Sequence, residues 1–148
     1  VAEATRYIKN YKMNYPDIDR YLDEVVKDAE RDGYTTTEFG RRRYIPEITS
    51  QNGNLRAFGR RVAMNAPIQG TAADVMKLAM LRVDSALKNA GLDARIVMQV
   101  HDELIIEAPE SDAEAVAELL KNTMENACEM SVPFTVEVAC GKTWYDTK

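Results

Sequence analysis

Cysteine, histidine and long apolar runs are all scarce in this chain of 148 residues, and each scarcity removes a class of protein. The two cysteines, Cys128 and Cys140, have no short spacing between them and no histidine nearby, so neither a zinc motif nor a disulfide framework is indicated. No apolar run is long enough to span a bilayer and no charged-then-apolar leader opens the chain, so no membrane partner and a cytoplasmic location are expected. There is no internal repeat and no low-complexity segment. Residue 1 is valine, and a helical pattern is already under way there, so the chain is expected to start inside a longer protein.

What is present is enough for a folded domain: 45% of the residues are hydrophobic. The net charge of -5 argues against a general nucleic-acid binder, but it is unevenly spread. Six arginines (Arg41, Arg42, Arg43, Arg56, Arg60, Arg61) lie within 21 residues beside one acid, Glu47, so that stretch carries +5 and the rest -10. A concentrated basic patch on an acidic background can hold a polyanion at one place while the remaining surface repels it. Three arginines in a row would by themselves suit a solvated loop.

Periodicity organises the rest. Tyr7, Ile8, Tyr11 and Tyr15 share a helical stripe, and Tyr15-Pro16-Asp17 breaks it. Ile18, Tyr21, Leu22, Val25, Val26 and Ala29 then mark an amphipathic helix stopped at Gly33. Residues 34–54 read as extended segments or a loop, with an Asn52-Gly53 turn signal, and a shorter helix is predicted over 55–65. Pro67 and Gly70 interrupt, and Thr71 with Asp74 resembles a capping box opening a long helix that ends at Gly91. A hairpin of strands 95–100 and 104–108 follows. Ser111 and Glu114 then cap a helix through Ala127, and Phe134, Val136 and Val138 alternate in a last strand. Helix, hairpin, helix, strand predicts an α+β fold, an antiparallel sheet of the hairpin plus a C-terminal strand backed by helices.

Chemistry concentrates at the hairpin. Gln99-Val100-His101-Asp102-Glu103 sits between Ile96-Val97-Met98 and Leu104-Ile105-Ile106, placing the only histidine and two adjacent carboxylates at the predicted tip. Neighbouring carboxylates repel unless a cation sits against them, so a hard divalent metal and phosphate chemistry are suggested. Arg61, Asn65 and Gln69, at intervals of four, would share a helix face if Pro67 left the helix unbroken. Such side chains can reach the acceptors common to every base pair in the minor groove, although polar residues at this spacing also mark any wet helix face.

Four blocks in order then carry a family resemblance: Gly33-Tyr34 through Phe39-Gly40-Arg41-Arg42-Arg43-Tyr44-Ile45-Pro46-Glu47; Asn65 through Asp74 with Met76-Lys77-Leu78-Ala79-Met80; Gln99 through Glu103; and Gly141-Lys142-Thr143-Trp144. The chain resembles the carboxy-terminal part of a bacterial family A DNA polymerase, of the DNA polymerase I type. The resemblance implies a fingers remnant over residues 1–62 and a palm portion over 63–148. It implies that Asp102 is one of two aspartates holding catalytic Mg2+, two ions in the complete enzyme, with Glu103 in support. His101 would lie near the primer terminus, and Arg61, Asn65 and Gln69 in the minor groove of primer-template DNA. Arg41, Arg42 and Arg43 would line the DNA path. The reaction implied is attack of a primer 3′-hydroxyl on the α-phosphate of a deoxynucleoside triphosphate.

The family's first palm motif, with the second aspartate, and the fingers helix that grips the triphosphate are not found in the chain, so the isolated segment is expected not to synthesise DNA. Two other readings remain, a non-catalytic duplex DNA-binding module and a partly folded remnant exposing Ile18, Leu22 and Val25. Glu38 departs from the apolar residue usual before Phe-Gly-Arg-Arg-Arg.

Overall fold

Tyr15-Pro16 closes one helix and opens the next. In the computed structural model, which describes residues 2–147, α1 covers Ala2–Asn14 and α2 covers Pro16–Asp32, with the proline in the first turn where its missing N–H is not needed. Gly33, at φ 78°, ends α2 in the left-handed conformation and returns its N–H to the Ala29 carbonyl. The described chain divides into two compact units, with the boundary after Thr71. No helix among the described residues is long and apolar enough to cross a membrane.

In the first unit, β1 (Tyr34–Thr36) pairs antiparallel with β2 (Arg42–Tyr44), and a 3-10 turn follows over Pro46–Thr49. Val26, Ala29, Ile45, Ile48 and Ala63 form its buried core, with Val62 and Met64 packed against them. Ala63 comes from α3, which runs unbroken over Gly53–Asn89. The two helices predicted over 55–65 and from Thr71 are therefore one. Asn52, read as a turn signal, is its cap: the Asn52 Oδ1 accepts the N–H of Asn54 at 2.9 Å.

Pro67 lies inside α3 because tertiary packing outweighs its local cost. Gly59, Ala63, Ala66 and Pro67 are all buried small side chains, and Gly70 is half-buried on the same side. A Cβ on Gly59 would stand 2.7 Å from the Ile48 backbone nitrogen, and one on Gly70 would stand 2.6 Å from Thr37 Cγ2. Thr71 is not a cap; its hydroxyl accepts the Glu38 N–H at 3.0 Å, so the polar residue at position 38 leaves that backbone anchored.

In the second unit, β3 (Arg95–Val100) and β4 (Glu103–Glu107) form the expected antiparallel hairpin, and α4 spans Ala113–Glu125. Val83 and Leu87 of α3 meet Val116 and Leu120 of α4, and Ile96, Leu104 and Ile106 of the hairpin pack onto this cluster with Val138. The fold is thus mixed helix and strand with two small antiparallel sheets.

Two details differ from expectation. Residues 134–138 are not a strand: their burial alternates as predicted, but the Val136 N–H donates to the Glu125 carboxylate at 3.0 Å instead of entering a ladder. The apolar period reported which side faces the core, and backbone pairing is a separate matter. Helix α4 ends at Glu125, two residues before buried Ala127, and its N-cap is Asp112 without a side-chain capping bond; Ser111 Oγ donates to Asp112 Oδ1.

Candidate functional site

The hairpin tip is built by register. Val100 faces Glu103 and Gln99 faces Leu104, which leaves His101 and Asp102 as a two-residue turn. The tip is therefore one residue shorter than the sequence suggested, and Glu103 opens β4. Leu104 and Ile106 point to the core, so by alternation Glu103 points to the opposite face. The register slips between Ile96 and Met98, which makes Val97 an extra residue in β3. A bulge of this kind bends and twists a strand and is common beside functional sites.

His101 takes φ 52°, and it is the one non-glycine with positive φ among the described residues. A left-handed histidine costs about 1 kcal/mol, because its Cβ crowds the following carbonyl. The Gln99 side chain meets this geometry: its Nε2 donates to the His101 carbonyl at 2.6 Å. His101, Asp102 and Glu103 are all exposed, and neither carboxylate forms an ion pair among the described residues. At the open end of the hairpin Glu107 does have a cation, Arg95, whose Nη2 lies 2.6 Å from Glu107 Oε2. Asp102 and Glu103 offer hard oxygen donors of the kind that suit Mg2+. Among the described residues no group of three or more His, Cys, Asp and Glu is placed to hold an ion. The tip therefore fits a divalent metal as part of a ligand set.

In the first unit, continuity of α3 through Pro67 brings Arg61, Asn65 and Gln69 onto one face without any bend. At 3.6 residues per turn, Asn65 and Gln69 lie about 40° and 80° around the helix from Arg61. All three are exposed, and the packed small residues occupy the far side. The Arg61 guanidinium lies 5.9 Å from the Phe58 ring, an arrangement that orients the side chain.

The basic stretch is largely anchored. Arg41 Nη2 donates to the Gly70 carbonyl at 3.0 Å, and Arg56 Nη1 donates to the Ser50 carbonyl at 3.1 Å. Arg42 stacks 4.7 Å from the Tyr34 ring, and its hydrogen bond with Tyr44, helped by Tyr34, raises its pKa further above the ordinary guanidinium value. Arg60 pairs with Glu30 at 3.3 Å, while Arg43 is exposed. Carbonyl and ring partners hold Arg56 and Arg42 in place without neutralising them.

The roles of Gly59, Gly70, Thr71 and Gln99 escaped the sequence reading. Gly59, Ala63, Ala66 and Gly70 recur at 0, 4, 7 and 11, and that spacing of small residues is the signal of a closely packed helix face.

A model of DNA polymerase family A matches residues 1–146. DNA polymerase I of Caldicellulosiruptor bescii is 50% identical over 146 residues, which is 99% of this chain and 17% of that protein. DNA polymerase I of Deinococcus radiodurans is 49% identical over 147 residues, 99% of this chain and 15% of that protein. Among solved structures, the POL domain of Pol1 from M. smegmatis, in complex with DNA primer-template and dNTP, matches with a TM-score of 0.94 at 44% identity. That match covers 99% of this chain and 26% of the other. The chain therefore spans less than a fifth of the curated relatives' length.

Proposed function

The chain belongs to DNA polymerase family A, and from that premise we propose that it forms part of the catalytic region of a DNA-directed DNA polymerase. The observation that carries the proposal is the exposed Asp102-Glu103 pair on a two-residue hairpin turn. The partners are primer-template DNA and deoxynucleoside triphosphates, the working location is the cytoplasm, and the reaction extends a primer 3′-hydroxyl. Residues 1–62 correspond to distal fingers and 63–148 to palm.

In this proposal Asp102 holds divalent metal, two Mg2+ ions in the complete enzyme, with Glu103 in support. Bound metal supplies activation of the attacking oxygen and neutralisation of the leaving pyrophosphate. The protein side chains do the rest. Arg61, Asn65 and Gln69 project donors from one helix face toward minor-groove acceptors that are shared by all base pairs, which gives grip without sequence preference. His101 stands next to Asp102, where it contacts the primer terminus. Arg41, Arg42 and Arg43 supply fixed positive charge toward the DNA backbone.

Primer extension tests the reading. A full-length polymerase carrying this segment extends a primer, and its Asp102→Ala variant does not. The 148-residue chain alone gives no extension. Extension by either the variant or the isolated chain contradicts the proposal. Exposure of Arg61, Asn65 and Gln69 on one face also favours a second reading for the isolated chain, that of a duplex-binding module without catalysis.

A further inference from the structure

We propose that Gln99 is a positioning residue that sets the peptide plane between His101 and Asp102, and through it the direction of the Asp102 carboxylate. The inference rests on the polymerase reading and deepens it.

Three observations carry it. The turn has only two residues and Glu103 is fixed by its pairing with Val100, so a rotation of the His101-Asp102 peptide is passed directly to the Asp102 Cα–Cβ bond. His101 holds a positive φ that side chains with a Cβ rarely adopt, so the turn needs a restraint to stay there. The restraint is present: Gln99 Nε2 donates to the His101 carbonyl at 2.6 Å. Only the NH2 half of an amide can face a carbonyl oxygen, so the acceptor itself fixes which way the Gln99 side chain points.

Gln99 is suited to this by placement. It faces Leu104 across the hairpin, one pair back from the turn, and reaches forward two residues to the carbonyl. His101 and Asp102 are exposed, so packing does little to hold the tip and the Gln99 hydrogen bond is the side-chain restraint seen on the turn among the described residues. Losing the bond frees the turn to rotate out of the left-handed region and spreads the Asp102 carboxylate over several directions. The effect on reaction is then a loss of productive geometry with DNA binding preserved.

The test uses a full-length polymerase carrying this segment. Gln99→Met keeps the side-chain length and removes the donor. It is expected to lower the single-turnover incorporation rate about five- to tenfold, the equivalent of one hydrogen bond. Primer-template Kd should stay within about twofold, since one lost intramolecular hydrogen bond leaves the DNA contacts in place. Amide exchange at Glu103, which pairs with Val100 to close the turn, should quicken, a readout independent of turnover. The deciding comparison is the same change in a His101→Gly background, because glycine takes positive φ freely. There Gln99→Met should cost less than about twofold relative to His101→Gly alone. Equal losses in the two backgrounds, or weakened DNA binding with an unchanged rate, overturn the inference. If Gln99→Met lowers the unfolding midpoint, Gln99→Leu, uncharged and without a donor, is read in its place with the same outcomes. An Asp102→Ala variant that keeps turnover would instead overturn the underlying polymerase reading.

Discussion

Gly59→Ala should destabilise this protein, although glycine-to-alanine changes within helices normally do the reverse. Helix propensity alone would favour alanine by about 0.5–1 kcal/mol, because glycine loses more backbone freedom on folding. Here the new Cβ would sit 2.7 Å from the Ile48 nitrogen, 2.9 Å from its Cα and 3.0 Å from the Glu47 carbonyl carbon. All three are backbone atoms, which cannot swing aside like the end of a flexible side chain. Ile48 and Ile45 beside it are fully buried, so moving the 3-10 turn disturbs the core around Val26 and Ala29. Overpacking of this kind costs about 1–3 kcal/mol, which leaves a net loss of about 1–2 kcal/mol after the propensity gain. Gly53→Ala is the matched control, since nothing lies within 4 Å of a Cβ there. Thermal unfolding followed by circular dichroism should show a midpoint lowered by about 3–6 °C for Gly59→Ala. The control should be unchanged or slightly raised. A midpoint for Gly59→Ala at or above the parent would refute the close-approach argument.

Leu87→Ala removes a nearly fully buried side chain between α3, α4 and the hairpin and should cost about 2–5 kcal/mol in urea unfolding of the second unit; a cost under about 1 kcal/mol would show that the site collapses or is already loose. In a full-length polymerase carrying this segment, Gln69→Ala should weaken duplex binding about fivefold for every sequence with the salt slope unchanged, whereas Arg61→Ala should also reduce the slope by up to about one. Affinity measured by fluorescence anisotropy over a salt series checks both, and a sequence-dependent loss would contradict a shared minor-groove contact.

The parts of the fold that were legible rest on strong periods or on punctuation. Tyr15-Pro16 and Gly33 bound α2 because proline and glycine have fixed conformational consequences. The hairpin was legible because two apolar runs flank a short polar segment. Pro67 misled because its rule is local, while the close packing of Gly59, Ala63, Ala66 and Gly70 is tertiary and holds α3 together across it. Thr71 and Asp74 matched a capping pattern in mid-helix, where the Thr71 hydroxyl serves a strand-loop amide 33 residues away.

The site divides in the same way. Asp102 and Glu103 could be nominated as candidates from residue type and their place at the tip, and Arg61, Asn65 and Gln69 as one helix face from their spacing, while the roles expected of them came from the family resemblance. The left-handed His101 could not, since a two-residue turn ordinarily signals positive φ with Asn or Gly. Nor could the anchoring of Arg41 and Arg56 on carbonyls, which depends on where the backbone passes.

The central claim is that Asp102 belongs to the reacting centre and not to the DNA grip. Single-turnover nucleotide incorporation by Asp102→Ala in a full-length polymerase carrying this segment, measured beside primer-template Kd, tests it most directly. A rate lowered at least about 10³-fold, equivalent to about 4 kcal/mol of lost transition-state stabilisation, with Kd within a few-fold of the parent, is the predicted result. A rate within a few-fold of the parent would contradict it.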